Sequence, residues 1–70
     1  MRYAVVYEKT PRNYSAYLPD LPGCVATGTT RAQVERRIRE AVALHLEELR
    51  RGHARPPKPS AWTEVVEVSA

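Results

Sequence analysis

Short apolar segments, separated by turns rich in proline and asparagine, open the chain and predict β-strands. Residues with high strand propensity fill three such segments, at about 2–8, 14–18 and 24–28. In the first segment the side chains alternate between two faces, and both faces carry apolar or aromatic residues. Tyr3, Val5 and Tyr7 lie on one side, and Ala4 and Val6 on the other. This strand therefore needs cover on both of its faces.

A helical spacing of apolar residues follows the third strand and predicts one long amphipathic helix over about 31–51. The positions that recur at intervals of three and four are Val34, Ile38, Ala41, Val42, His45 and Leu49. Thr30 precedes the helix and Gln33 stands at its third position, so that hydroxyl and amide can each satisfy a backbone donor. Gly52 is expected to end the helix in the left-handed conformation of a C-terminal cap.

The last third of the chain predicts a stiff connector and a fourth strand. Pro56, Pro57 and Pro59 leave little capacity for regular structure, and strand-forming residues return at about 62–68. This strand either pairs within its own subunit or exchanges into a neighbour, because the connector is extended enough for both. The order β-β-β-α-β predicts an α+β, two-layer fold in a single domain, 1–70, with one long helix on a small, mostly antiparallel sheet.

Size and coverage together predict self-association. A chain of 70 residues buries a small core and gains stability from disulfides, metals or partners. Cys24 is the single cysteine, which excludes an intrachain disulfide and is typical of a reduced, cytoplasmic protein. One helix covers one face of the sheet, so aromatic residues on the other face need a second molecule. We expect a homodimer or homotetramer, with no signal peptide and no membrane segment.

The reactive side chains do not predict an enzyme. Glu64 and Glu67 are three residues apart on a strand and point to opposite faces, so they cannot form a two-metal carboxylate cluster. Cys24 has no base near it in the sequence, and His45 lies on the apolar stripe of the helix. The two histidines, His45 and His53, fit no common zinc spacing. We therefore expect no catalytic residue, no metal and no cofactor.

The charge of the chain leaves a second class of function open. The formal charge is +3, and residues 31–55 contain seven arginines and four glutamates. Phosphates could follow such a surface, which makes a small basic nucleic-acid-binding module the alternative. Against this, the arginines alternate with glutamates at spacings that form ion pairs along a helix, as on an ordinary solvated face. The solvated face is the favoured interpretation.

One motif resembles a known family. The run Tyr14-Ser15-Ala16-Tyr17-Leu18-Pro19-Asp20-Leu21-Pro22-Gly23-Cys24, followed by Gly28, Thr30 and the helical Arg39-Glu40-Ala41-Val42, resembles the HicB-like antitoxin family over almost the whole chain. The resemblance implies a partial ribonuclease-H-like fold, in which an antiparallel three-stranded meander carries a helix across it and a fourth strand lies beside the first.

The same resemblance implies a function. Relatives of this kind bind and mask HicA, a small toxin that cleaves messenger RNA, and they are dimers or tetramers. In those proteins operator binding belongs to a C-terminal segment, for which no residues follow Ala70 here. We therefore expect a non-catalytic, protein-binding antitoxin, or an orphan relative of one, and not a DNA-binding repressor.

Eight residues are candidates for binding a partner or a second subunit. They are Tyr3, Val5, Tyr7, Tyr14 and Tyr17 on the strands, Asp20 and Leu21 in the loop, and Trp62 in the last strand. The loop residues have a second interpretation, in which Leu21 tucks under the sheet edge and Asp20 accepts backbone hydrogens within the turn. That structural role is the favoured one for the loop.

Overall fold

An antiparallel sheet followed by one long helix forms the body of the protein. The computed structural model describes residues 1–69. Its elements are β1 (Val6–Lys9), β2 (Tyr14–Tyr17), β3 (Val25–Gly28) and α1 (Arg31–Arg51). The strands lie in the order β1-β2-β3, each antiparallel to its neighbour. This is an α+β fold, as expected.

The register of the strands decides which side chains share a face. Residues directly opposite one another point to the same side of a sheet. One cross-strand row, which includes the buried Ala16, faces α1 and consists of Tyr7, Ala16 and Ala26. The next row points the other way and consists of Val6, Tyr17 and Val25. We call the side of the sheet that faces away from α1 the open face.

The hydrophobic core lies between α1 and the second half of the sheet. Its buried members are Ala16, Leu18, Leu21, Cys24, Val34 and Ile38. In the described part of the chain, α1 packs over β3 and β2 but not over β1. The helix is therefore displaced from the centre of the sheet, and the first strand is left at an uncovered margin.

The helix approaches the sheet most closely at Gly28. A Cβ atom at this position would lie 2.8 Å from the backbone nitrogen of Val34 and 3.2 Å from the Gln33 side chain. Gly28 is the buried last residue of β3, and the turn into α1 follows at once. Only a residue without a side chain lets the first turn of the helix pack against the end of this strand.

The start of α1 forms as expected, whereas its end differs. The Gln33 amide donates to the Thr30 hydroxyl at 3.1 Å, and the Gln33 side-chain oxygen accepts from the Thr29 amide at 2.7 Å. Gly52 has a φ of −83°, so the prediction of a left-handed glycine is wrong. His53 takes that conformation instead, with a φ of 57°.

Two hydrogen bonds explain this ending. The His53 amide donates to the carbonyl of Arg50 at 3.0 Å, and the Ala54 amide donates to the carbonyl of Leu49 at 2.9 Å. This is the pattern of a Schellman motif, whose left-handed residue stands one position beyond the helix cap. Because Gly52 is the cap itself, the strained conformation falls on the histidine that follows it.

The first strand is shorter than predicted. Residues 2–5 were expected to belong to it, but pairing with β2 begins at Val6, opposite Tyr17. Beyond Tyr17, the Leu18 amide donates to the carbonyl of Cys24 at 3.4 Å, and Pro19 has no amide hydrogen to offer. The second strand therefore turns away before it can pair with residues 2–5.

The predicted fourth strand, 62–68, does not form within the isolated chain. These residues join no strand of the described sheet, and their large apolar side chains are exposed. The radius of gyration is 13.8 Å, whereas a compact domain of this length has about 11 Å. The tail therefore projects from the body, and we call residues 62–68 the C-terminal arm.

Replacing Gly28 by alanine should destabilise the fold by about 1–3 kcal/mol, because the new methyl group meets backbone that cannot move aside. Urea denaturation at one fixed protein concentration measures the change. Gly52→Ala is the matched control, since its φ is −83° and the nearest atom to the new carbon lies at 3.6 Å. Equal effects of the two substitutions would contradict the close approach described above.

Replacing His53 by glycine should stabilise the protein by about 1 kcal/mol, because glycine adopts a positive φ without a steric penalty. The same denaturation experiment gives the sign. Ala54→Gly, one residue further on, should have no such benefit because Ala54 is not in the left-handed region. A loss of stability in His53→Gly would show that the histidine side chain has a role of its own.

Candidate protein-interaction surfaces

An apolar groove runs between the first strand and the helix, where α1 leaves the sheet margin uncovered. We call it the β1–α1 groove. It encloses about 320 Å³ and its lining includes Tyr3, Val5, Ile38, Val42 and Leu46, with Arg39 as the charged member. Tyr3 and Val5 are half-buried and pack against the core from this side. A groove that is mainly apolar and carries one cation suits an apolar segment that has an acidic residue.

A second depression continues this margin toward the start of the helix. Tyr7 and Tyr14 line it together with Arg31 and Glu35 of α1. The Lys9 ammonium lies 5.9 Å from the centre of the Tyr14 ring, within the range of a cation–π contact. Four of the aromatic and apolar candidates, Tyr3, Val5, Tyr7 and Tyr14, are therefore brought together on the helix-facing side.

The fifth strand candidate, Tyr17, lies on the open face. It stands between Val6 of β1 and Val25 of β3 in one cross-strand row. Tyr17 is 40% exposed and Val25 is 64% exposed. An exposed apolar row of this kind, with Glu8 in the adjacent row of the same face, is typical of a surface that contacts another protein.

Asp20 holds the start of the C-terminal arm. Its two carboxylate oxygens accept hydrogen bonds from the Ser60 hydroxyl at 2.7 Å, the Ser60 amide at 3.0 Å and the Ala61 amide at 3.1 Å. These bonds favour the charged form, and the hydroxyl of Ser60 contributes most to holding the pKa of Asp20 below its ordinary value. Asp20 thus joins two parts of the chain that are 40 positions apart.

The connector between the helix and this anchor crosses the end of β1. The Tyr3 hydroxyl donates to the carbonyl of Pro57 at 2.6 Å. The chain then runs to Ser60, whose amide donates to Asp20 in the loop between β2 and β3. Two contacts that sequence spacing does not reveal therefore fix the path of the proline-rich segment.

The remaining candidates have different environments. Leu21 is completely buried in the core and offers no surface to a partner. Trp62 lies in the arm, 77% exposed, and its indole nitrogen donates to Glu64 at 3.4 Å. Sequence reasoning missed three site residues, Arg39, Ser60 and Val25. Only the fold places Arg39 beside Val5 and Ser60 beside Asp20.

The structure brings Cys24 and His45 to one shallow depression, although they are far apart in sequence. Burial raises the pKa of the Cys24 thiol, which opposes formation of a nucleophilic thiolate. No hydrogen bond joins the two side chains within the described residues, 1–69, and no metal-binding cluster occurs there. Neither residue is therefore assigned a chemical role.

Three of the six arginines of α1 form ion pairs with glutamates. Arg31 lies 3.8 Å from Glu35, and Arg51 lies 3.4 Å from Glu47, which Arg50 also contacts. The hydrogen bond from Arg50 holds the pKa of Glu47 below its ordinary value. These pairs partly neutralise the basic surface and agree with a solvated helical face.

Among the described residues, no helix combines the length and the hydrophobicity that a membrane-spanning segment requires.

The fold and these surfaces define a small α+β interaction domain. A sequence profile described as "HicB_like antitoxin of bacterial toxin-antitoxin system" matches residues 3–69. The chain belongs to this HicB-like antitoxin family, and this membership supports a role in a toxin–antitoxin system.

Solved and curated relatives agree with this membership. The antitoxin-containing structure "HicA3 and HicB3 toxin-antitoxin complex" matches at a TM-score of 0.69 and 32% identity, over 84% of this chain and 70% of that chain. A UPF0150 protein of Thermoplasma acidophilum is 31% identical over 62 residues, which are 87% of this chain and 90% of that protein.

A phage protein shares part of the domain. The uncharacterised 14.9 kDa protein of the rep-hol intergenic region of Haemophilus phage HP1 is 34% identical over 47 residues, which are 67% of this chain. The match spans 35% of the length of that phage protein.

Replacing Ser60 by alanine should raise the pKa of Asp20 toward its ordinary value of 3.8, because the largest stabilising hydrogen bond is lost. Carboxyl NMR titration measures the shift. In the native protein the depressed pKa means that the anchor persists above pH 3.8 and is lost as the pH falls through the folded-state value. Ser15→Ala, in β2, is the control and should leave the titration unchanged.

Proposed function

We propose that this protein is an antitoxin that binds and neutralises a small HicA-like toxin that cleaves messenger RNA, in the cytoplasm and without catalysis of its own. The observation that carries the proposal is the match of nearly the entire chain to HicB-like antitoxins, one of which is solved in complex with a toxin. An inhibitor of this kind needs a surface that fits the toxin, and it needs no reactive group.

The open face is the surface proposed to contact the toxin. Val6, Tyr17 and Val25 form an apolar row across all three strands, with a tyrosine at its centre. Partly exposed tyrosines are frequent anchors of protein interfaces, because the ring buries area and the hydroxyl keeps a hydrogen bond. Glu8 on the same face would attract a toxin whose RNA-binding surface is basic.

The other candidate residues are proposed to serve self-association. Tyr3, Val5, Tyr7 and Tyr14 border the uncovered margin beside α1, on the opposite side of the sheet from Tyr17. A second copy at this margin leaves the open face accessible. We propose a homodimer or homotetramer that presents one toxin-binding face per subunit.

Coexpression with a HicA-like toxin, sought first in the reading frame next to this gene, should restore growth of cells that the toxin arrests, and the two proteins should copurify. Val25→Lys should weaken the complex by roughly tenfold or more, because a charge then enters the apolar row. Ala43→Lys is the control, since Ala43 is also exposed but lies on α1, outside the depression that Val25 shares with Leu44.

Two results would contradict the proposal. One is continued toxicity and no copurification with the wild-type chain. The other is salt-sensitive binding of RNA or DNA by the isolated chain, which would favour the nucleic-acid-binding alternative instead.

A further inference from the structure

The C-terminal arm has the composition of a strand and no partner in the described chain. Trp62, Val65, Val66 and Val68 are 77%, 99%, 75% and 76% exposed. In an extended segment Trp62, Glu64, Val66 and Val68 share one side, and the indole contact between Trp62 and Glu64 agrees with this. One side of the arm is therefore apolar with a single acid.

The outer edge of β1 is the complementary surface. In the described chain β1 pairs with β2 alone, so its other edge offers unpaired backbone groups to an added strand. Next to the start of this strand, where Tyr3 and Val5 lead into it, lies the β1–α1 groove, with apolar walls and Arg39. A strand added here would place its inner side against Tyr3 and Val5, and an acidic residue on that side would meet Arg39.

The anchor at Asp20 sets the point at which the arm begins. The chain passes Tyr3 at Pro57 and is then held at Asp20, between β2 and β3, by Ser60 and Ala61. In the described chain the arm does not pair with its own β1 edge, since residues 62–68 join no strand of the sheet. Residues 61–69 contain no glycine, proline or asparagine, the residues that favour tight turns, so the arm is suited to an extended course.

The opposite edge of the sheet is less suitable. The guanidinium of Arg37 donates to the carbonyl of Thr27 in β3 at 3.0 Å, so a side chain already engages that backbone. The helix also packs over β3, whereas it leaves β1 uncovered. Of the two edges, β1 is therefore the one that can accept a strand.

We propose that two copies of this chain exchange their C-terminal arms, each arm pairing with the β1 edge of the other copy. The side that carries Trp62, Val66 and Val68 covers the β1–α1 groove of the second copy, and Glu64 faces its Arg39. This arrangement makes a reciprocal, closed dimer. It deepens the proposed self-association and does not depend on toxin binding.

The single tryptophan makes the exchange measurable in the intact protein. Trp62 is the only tryptophan of the chain and lies in the arm. Light scattering should report a dimer at high concentration, with Trp62 emission shifted to the blue. On dilution, the mass should fall to that of one chain and the emission should move to the red in parallel.

Matched substitutions locate the contact. Val66→Lys should give a monomer with a red-shifted tryptophan at concentrations at which the wild type is a dimer. Thr63→Lys adds the same charge to the same arm on its other side and should leave both signals unchanged. Circular dichroism of both variants should match the wild type, because the arm lies outside the core.

A mixing experiment distinguishes arm exchange from other dimers. A chain that ends at Ser60 lacks the arm but keeps a free β1 edge and an intact groove. The Arg39→Glu variant keeps the arm but has a groove that binds the arm more weakly. Each alone should be largely monomeric, and their mixture should form a heterodimer through one arm and one intact groove.

Three results would overturn the proposal. They are a blue-shifted Trp62 at all concentrations in a monomer, a dimer that persists without the arm, and a monomeric wild type with a red-shifted Trp62. Toxin neutralisation is measured separately in the same variants, so failure of arm exchange leaves the antitoxin proposal standing and the reverse also holds.

Discussion

The close packing of α1 against the end of β3 is the constraint on which the rest of the structure depends. Gly28 has no side chain, so the first turn of the helix meets the strand at backbone distance. Val34 and Ile38 then close the core over β2 and β3. A single helix of this width cannot also cover β1, and the protein is left with an apolar margin beside its only helix.

That displacement gives the sheet two distinct exposed surfaces. The helix-facing margin holds Tyr3, Val5 and Tyr7, whereas the open face holds Tyr17 and Val25. Coverage by one helix predicts one bare face, yet Tyr7 of β1 and the preceding Tyr3 lie on the covered side. They remain accessible because the helix is off centre. The two surfaces are therefore separate, as the proposal of a toxin on one and a second copy on the other requires.

The tail is fixed to the body of the protein at one loop. Asp20 lies in the loop that carries the family motif, and it uses its carboxylate to hold Ser60 and Ala61. The loop thus has a structural role within the chain, but Asp20 bonds Ser60 and Ala61 and not the backbone of its own turn, as its sequence had suggested. Since the proline-rich connector cannot join the sheet, the same anchor decides where the arm begins.

Local sequence determined the three strands, the helix and its cap, because alternation, helical spacing and the Thr30–Gln33 pair act over a few neighbouring residues. It also carried the motif that identifies the family. The offset of the helix, the left-handed His53 and the bond between Asp20 and Ser60 were decided only in three dimensions. These three features depend on contacts between residues that are far apart in the sequence. The unpaired arm has the same cause, because the sequence pattern of a strand specifies an extended conformation but not the sheet edge that the strand joins.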